Sequence, residues 1–241
     1  MRRLLKTANM ELKQNQYTIG DIPVIRLVEK HGSPLYIYDT AVMIRQYERI
    51  TGAFSATRVK INYACKALTN INVLKLFKSL GSGLDAVSVQ EVTLGLKAGF
   101  DPQDILYTPN CVSMEEIDEA VELGVRINID NIAKLEEFGI KYGAKVPVCV
   151  RINPHILAGA NHKISTGHID SKFGISVYQM PHVHRIVETN HMKVEGIHMH
   201  SGSDILDVEV FLRATEIMFE TAKEFKELEY IDFGSGFKVP Y

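Results

Sequence analysis

From residue 59 onward the hydrophobic pattern switches repeatedly between two periods. In "VKINYACK", Val59, Ile61, Tyr63 and Cys65 alternate with Lys60, Asn62, Ala64 and Lys66, the period-two signature of a strand with two unlike faces. Six further runs read as strands: "GLDAVSV", "DILYTPN", "VRINID", "VPVCVRINP", "VEGIHMHSG" and "YIDFGSG". Between them lie helical patterns: "NINVLKLFKSLG", "SVQEVTLGLKAGF", "SMEEIDEAVELG", "DNIAKLEEFGIKYG" and "DVEVFLRATEIMFETAKEFKEL". Asn70, Ser88, Ser113 and Asp130 stand where N-caps are expected. Gly81, Gly99, Gly124 and Gly143 stand where helices close.

Strand–helix alternation repeated this often predicts parallel βαβ units. A doubly wound sheet would gather its chemistry at one switch point. Here Lys66, Asn110, Asp130, Arg151, His200 and Gly234 fall at the carboxyl ends of different strands. Many strand ends feeding one polar rim is barrel behaviour. The prediction is therefore an α/β fold, a (β/α)8 TIM-type barrel with about seven of its eight strands. Before it, "PLYIY" reads as a short strand outside the barrel, followed by a helical stretch from residue 40. The predicted division is residues 1–39 as an N-terminal segment and 40–241 as the partial barrel.

Composition adds little and excludes some partners. The chain has 241 residues, 46% hydrophobic and 23% charged, with a net charge of −2, so no bulk electrostatic attraction favours nucleic acid or a membrane surface. No apolar run approaches the ~20 residues of a membrane span, and the first residues do not read as a signal peptide. Cys65, Cys111 and Cys149 form no pair at metal or disulfide spacing, which fits a reducing cytoplasm.

Four features could carry chemistry. Lys66 ends the first barrel strand. A strand-tip lysine can simply reach solvent, but a desolvated amine on a rigid strand is also a Schiff-base nucleophile. "DFGSGF" places Gly234, Ser235 and Gly236 after the seventh strand, where this barrel often cradles phosphate. "GIHMHSGSD" puts His198 and His200 on one face, with Ile197 and Met199 turned to the helices. Such a pair could hold zinc. However, the neighbouring strand ends supply Asp85, Asn110, Asp130 and Arg151, no histidine among them, and an arginine disfavours a divalent cation. The other reading makes His200 a flat ring for an aromatic cofactor, with Gly202 and Ser203 as phosphate donors. Arg151 points inward from "VCVRINP" and needs an anionic partner, either Asp85 or a ligand. His182 and His184 open a helix and are expected to face water.

Taken together, "YACKALTN", "GLDAVSVQEV", "RINPHILAGANHKISTGHIDSKFGI", "HMHSGSD" and "DFGSGF" resemble the diaminopimelate decarboxylase family, pyridoxal-phosphate enzymes with an alanine-racemase-like barrel. The resemblance runs from about His31 to Phe237, and "ISTGHIDSKFGI" is its most specific stretch. It implies that Lys66 is the Schiff-base lysine and catalytic residue, and that His200 stacks on the pyridine ring. It implies that Ser203, Gly234 and Gly236 hold the phosphate, with Ser235 in the glycine loop, and that Asp85 and Arg151 line the cofactor site. Ser235 replaces a usual glycine, and Ser201 a usual apolar residue.

By the same resemblance the reaction is decarboxylation of meso-diaminopimelate to L-lysine by a cytoplasmic homodimer. Related decarboxylases of ornithine, arginine or carboxynorspermidine, and a non-catalytic pyridoxal-phosphate-binding chain, are the alternatives. The family continues past strand seven into an eighth strand and a β-rich domain that these residues do not include. The 241 residues by themselves are therefore expected to be aggregation-prone and inactive.

Overall fold

A computed structural model describes residues 10–13, 15–156 and 171–239. The chain divides into two compact units between Ile61 and Asn62. The first holds an antiparallel meander, β1 (Met10–Lys13), β2 (Gln16–Ile19) and β3 (Ile22–Pro23), then helices α1 (Val24–His31) and α2 (Thr40–Ala53). Gly20 and Asp21, both at positive φ, make the two-residue turn between β2 and β3, the backbone that a twisted hairpin prefers. The strand expected at "PLYIY" is not formed. Residues 34–38 carry no ladder, and the meander earlier in the chain takes the strand role.

The second unit is a seven-stranded parallel sheet with an eighth short strand at its rim. Its strands are β4 (Asn62–Ala64), β5 (Gly83–Ala86), β6 (Ile105–Tyr107), β7 (Arg126–Ile129), β8 (Val148–Asn153), β10 (Val194–His198) and β11 (Tyr230–Asp232). They lie side by side in chain order, every pair parallel. β9 (Ile175–Ser176) adds to the end of β8 at Ile152 and Asn153. The connecting helices are α3 (Ile71–Ser79), α4 (Val89–Ala98), α5 (Met114–Glu122), α6 (Ile132–Tyr142), α7 (Met180–Thr189) and α8 (Val208–Ala222). This is an incomplete (β/α)8 barrel, with all seven expected strands in the expected order.

The first strand is shorter than its pattern predicts. Pairing covers only Asn62–Ala64, where Tyr63 stacks on Phe77 of α3 at 4.1 Å. Val59 is exposed. Cys65–Ala67 forms a 3-10 turn, so Lys66 sits beyond the strand rather than in it, and it is exposed. The cap of α6 also differs from expectation. Asn131 Oδ1 accepts from Lys134 N at 2.9 Å. Asp130 stays inside, because alternation along β7 turns it to the concave face.

Period-two alternation sends one set of side chains to the helices. Leu84, Ala86, Ile105, Tyr107, Ile127, Ile129, Val148, Val150 and Ile197 form a single core with the inward faces of the helices. Where α4 crosses β5, a Cβ on Gly95 would lie 2.4 Å from Leu84 Cδ2, so the glycine admits the leucine. The opposite set of side chains is largely polar and faces the concave side.

Leu84 has no exposed surface. Leu84→Ala should therefore cost about 2–5 kcal/mol through lost burial and the cavity left under α4. Urea unfolding should show a lower midpoint at unchanged slope.

Candidate active site at the carboxyl ends of the strands

The concave face carries five charged groups in one field. Arg151, only 6% exposed in the middle of β8, is its centre. Burial lowers its proton affinity, and Asp130, Asp85 and Asp232 counter this in that order. Its guanidinium lies 4.9 Å over the ring of Phe173, just past the barrel rim. Of the two partners expected for Arg151, Asp85 or an anionic ligand, Asp85 makes no ion pair with it among the described residues. Asp85 accepts a hydrogen bond from the Thr108 hydroxyl just past the next strand. Burial raises the Asp85 carboxyl, while Thr108, Lys66 and Arg151 lower it. One strand further, Asn110 donates to Asp130.

Lys66 belongs to this cluster, because its charge acts on Asp85, His198 and His200. The two histidines differ. His198 is buried in β10, with Nδ1 unpaired among the described residues, and its basicity falls well below the usual value through burial and then Arg151. His200 lies just past the strand, half-buried. Burial, with Arg151 and Lys66 behind it, pushes its pKa down to about 4. Both rings are neutral near pH 7. Among the described residues, no three of His, Cys, Asp and Glu are gathered as a metal ion would need.

Beside His200 the loops after β10 and β11 are stitched together. Ile205 N donates to Gly236 O at 2.9 Å, and Lys238 N donates to Ile205 O at 3.1 Å. Lys238 pairs with Asp204 at 3.2 Å, and Phe237 packs on Phe211. The seam tolerates no side chain at either glycine. A Cβ on Gly234 would lie 2.4 Å from Met199 O and 3.1 Å from His200 Nδ1. On Gly236 it would lie 2.0 Å from Gly202 O. Both glycines adopt positive φ. This is a backbone cradle of the kind that receives anions, with Ser203 and Ser235 exposed on it. An amine, a neutral flat ring and an anion cradle together fit pyridoxal phosphate.

The structure thus brings Lys66, Asp85, Arg151 and His200 into one electrostatic cluster, and sets the Gly234–Gly236 loop against His200 and Gly202. Ser203 lies next to Gly202 on the cradle. Of "ISTGHIDSKFGI", residues 164–170 lie outside the described residues. Three members were missed from sequence. Thr108 and Asp232 are each two residues from a recognised position, so the strand period alone could have flagged them. Phe173 could not be found that way, because it meets Arg151 only through the return of the chain at β9. His184, expected in water, is half-buried and bonds Glu224 at 2.7 Å.

A family profile described as the pyridoxal-binding domain of pyridoxal-dependent decarboxylases matches residues 40–241. The chain belongs to this family. It is 38% identical to the diaminopimelate decarboxylase of Methanothermobacter thermautotrophicus, over 92% of this chain and 54% of that protein. It is 32% identical to the Haemophilus influenzae diaminopimelate decarboxylase, over 96% of this chain and 58% of that one. Among solved structures, diaminopimelate decarboxylase from Methanocaldococcus jannaschii superposes with a TM-score of 0.83 at 29% identity, over 97% of this chain and 58% of that one. The Helicobacter pylori enzyme, complexed with L-lysine, gives 0.81 at 30% identity, over 90% and 57%. The chain spans just over half the length of these relatives. No helix among the described residues is long and apolar enough to cross a membrane.

The low basicity of His200 has a measurable consequence. An unfolded histidine takes its proton near 6.5, whereas folded His200 refuses it until about 4. Between those values the unfolded state binds more protons, so this residue makes stability fall as pH drops. Asp232 opposes it: burial lifts its carboxyl to about 6 from 3.8, so the folded state gains its proton first. His200→Gln should flatten the acid limb of a stability–pH curve between pH 6.5 and 4. The His200 ring resonance should titrate near pH 4 by NMR.

Proposed function

We propose that this chain forms the cofactor-binding part of a diaminopimelate decarboxylase, releasing carbon dioxide from meso-diaminopimelate to leave L-lysine. The observation that carries the reading is the glycine seam against His200, with the amine of Lys66 in the same cluster. The names of the relatives support the substrate. The L-lysine bound to the Helicobacter pylori enzyme is what this reaction would produce.

The residues divide the work. Lys66, exposed beyond β4, would hold the cofactor through its amine. His200, neutral near pH 7, would pack on the cofactor ring without adding a charge beside it. Ser203, Ser235, Gly236 and the turn at Gly234 would take the phosphate. Asp85 and Arg151 line the site and fix its charge, with Thr108 and Phe173 holding them in place. When bound, pyridoxal phosphate supplies an electron sink for the pair left by the departing carboxylate.

The reading extends to a cytoplasmic homodimer, with residues 40–241 as the cofactor domain and 1–39 preceding it. Cys65 and Cys149 buried as free thiols support a reducing compartment.

Two measurements test the proposal. Borohydride treatment of the cofactor-loaded protein should trap pyridoxal phosphate on Lys66, located by peptide mapping, and Lys66→Ala should leave no label. A label on Lys60 or Lys172 would remove the centre of the argument. With the whole protein, carbon dioxide release should be seen with meso-diaminopimelate and fall to background in Lys66→Ala. Faster release from ornithine, arginine or carboxynorspermidine would reassign the substrate, and cofactor capture without release from any of them would make it a binding protein.

A further inference from the structure

Asp232 ends β11 on the concave face, two residues before Gly234. Its Oδ1 accepts the Gly234 N–H at 2.7 Å, and its backbone carbonyl accepts Met199 N at 2.9 Å. One residue therefore fixes both sides of the seam: the turn that starts the glycine loop and the backbone just before His200. Gly234 has no latitude there, given its positive φ and the 2.4 Å that a Cβ would leave to Met199 O. Its N–H is also spent on the carboxylate. Among the described residues, the N–H groups of Ser235 and Gly236 have no backbone partner, so they are the loop's donors for an anion.

We infer that Asp232 is the positioning residue of the anion cradle, holding Gly234 so that Ser235 and Gly236 present their N–H groups to the cofactor phosphate. The inference rests on the pyridoxal-phosphate reading and deepens it. It also gives a half-buried acid a reason to be present. The groups facing Asp232 are Asp85 on β5, Cys149 and Arg151 on β8, and His198, its register partner on β10. A carboxylate among these would otherwise gain little from losing its water. Burial does raise its pKa, and the Gly234 N–H is the largest influence pulling it back, as expected where the charged form is the acceptor.

A phosphate cradle is read by comparing pyridoxal phosphate with pyridoxal, which shares the aldehyde and ring but lacks the anion. The dissociation constant of each is measured by absorbance titration of the wild-type protein, Asp232→Ala and Asp232→Asn. The preference for pyridoxal phosphate should fall about fivefold or more in Asp232→Ala, the worth of one lost hydrogen bond, while pyridoxal affinity stays the same. Asp232→Asn keeps a carbonyl oxygen at the same place and should retain the preference, which a purely structural defect would not reproduce.

Unchanged preference in Asp232→Ala overturns the inference. So does tighter phosphate binding in both variants, because the carboxylate would then only repel the anion. Should the alanine variant fail to fold, the unaltered protein answers by NMR: the Gly234 amide proton should shift in step with ionisation of the Asp232 carboxyl, and independence of the two overturns the inference. A wild-type protein with no preference for pyridoxal phosphate over pyridoxal would instead refute the functional reading itself, and with it this inference.

Discussion

A guanidinium in the middle of the concave face governs this site. Arg151 is buried, which no arginine sustains without compensation, and the sheet supplies that compensation from three other strands through Asp130, Asp85 and Asp232. The same charge then acts outward. It helps keep His198 and His200 neutral, and it offsets the burial that raises Asp85 and Asp232. Removing it would take away a positive charge that offsets the burial of the Asp85 and Asp232 carboxyls. The carboxylates, the histidines and the arginine therefore form one electrostatic unit rather than a set of separate residues.

The second constraint is steric. Two adjacent loops approach so closely at Gly234, Gly236 and Gly202 that backbone touches backbone. Close approach excludes side chains, and excluding side chains is what leaves amide N–H groups uncovered for an anion. The barrel makes the approach possible, because β10 and β11 are parallel neighbours whose following loops must leave from the same rim. Phe237 on Phe211 and Lys238 on Asp204 close the far end of the seam.

Much of this was legible in the chain. The strands and the inward position of Asp85, Arg151 and His198 follow from period-two alternation, and their parallel order from the helices between them. The glycine loop and the lysine motif were recognisable as short, contiguous stretches. The pairing of charges was not. Arg151 was expected to meet Asp85 or an anionic ligand; Thr108 takes the Asp85 hydrogen bond, and Phe173 takes the face of Arg151. Both outcomes depend on which residues lie level with each other across strands, and register is not written locally. The length of β4 and the cap of α6 were misjudged for a related reason. A strand lasts only as far as its neighbour pairs with it, and Asp130 is held by the interior before it can serve a helix end.

What the sequence determined by itself was periodicity: which faces are apolar, where helices begin, and which polar residues look inward. Those depend on neighbours one to four residues away, and the chain carries that information directly. The tertiary structure decided how far Lys66 stands beyond its strand, that His200 is a weak base, and that Asp232 holds the glycine loop. The first two depend on segments tens of residues apart, and the third joins a local Asp232–Gly234 contact to Met199 on the neighbouring strand's loop. Only packing fixes such distances, and with them burial and the strength of one charge upon another.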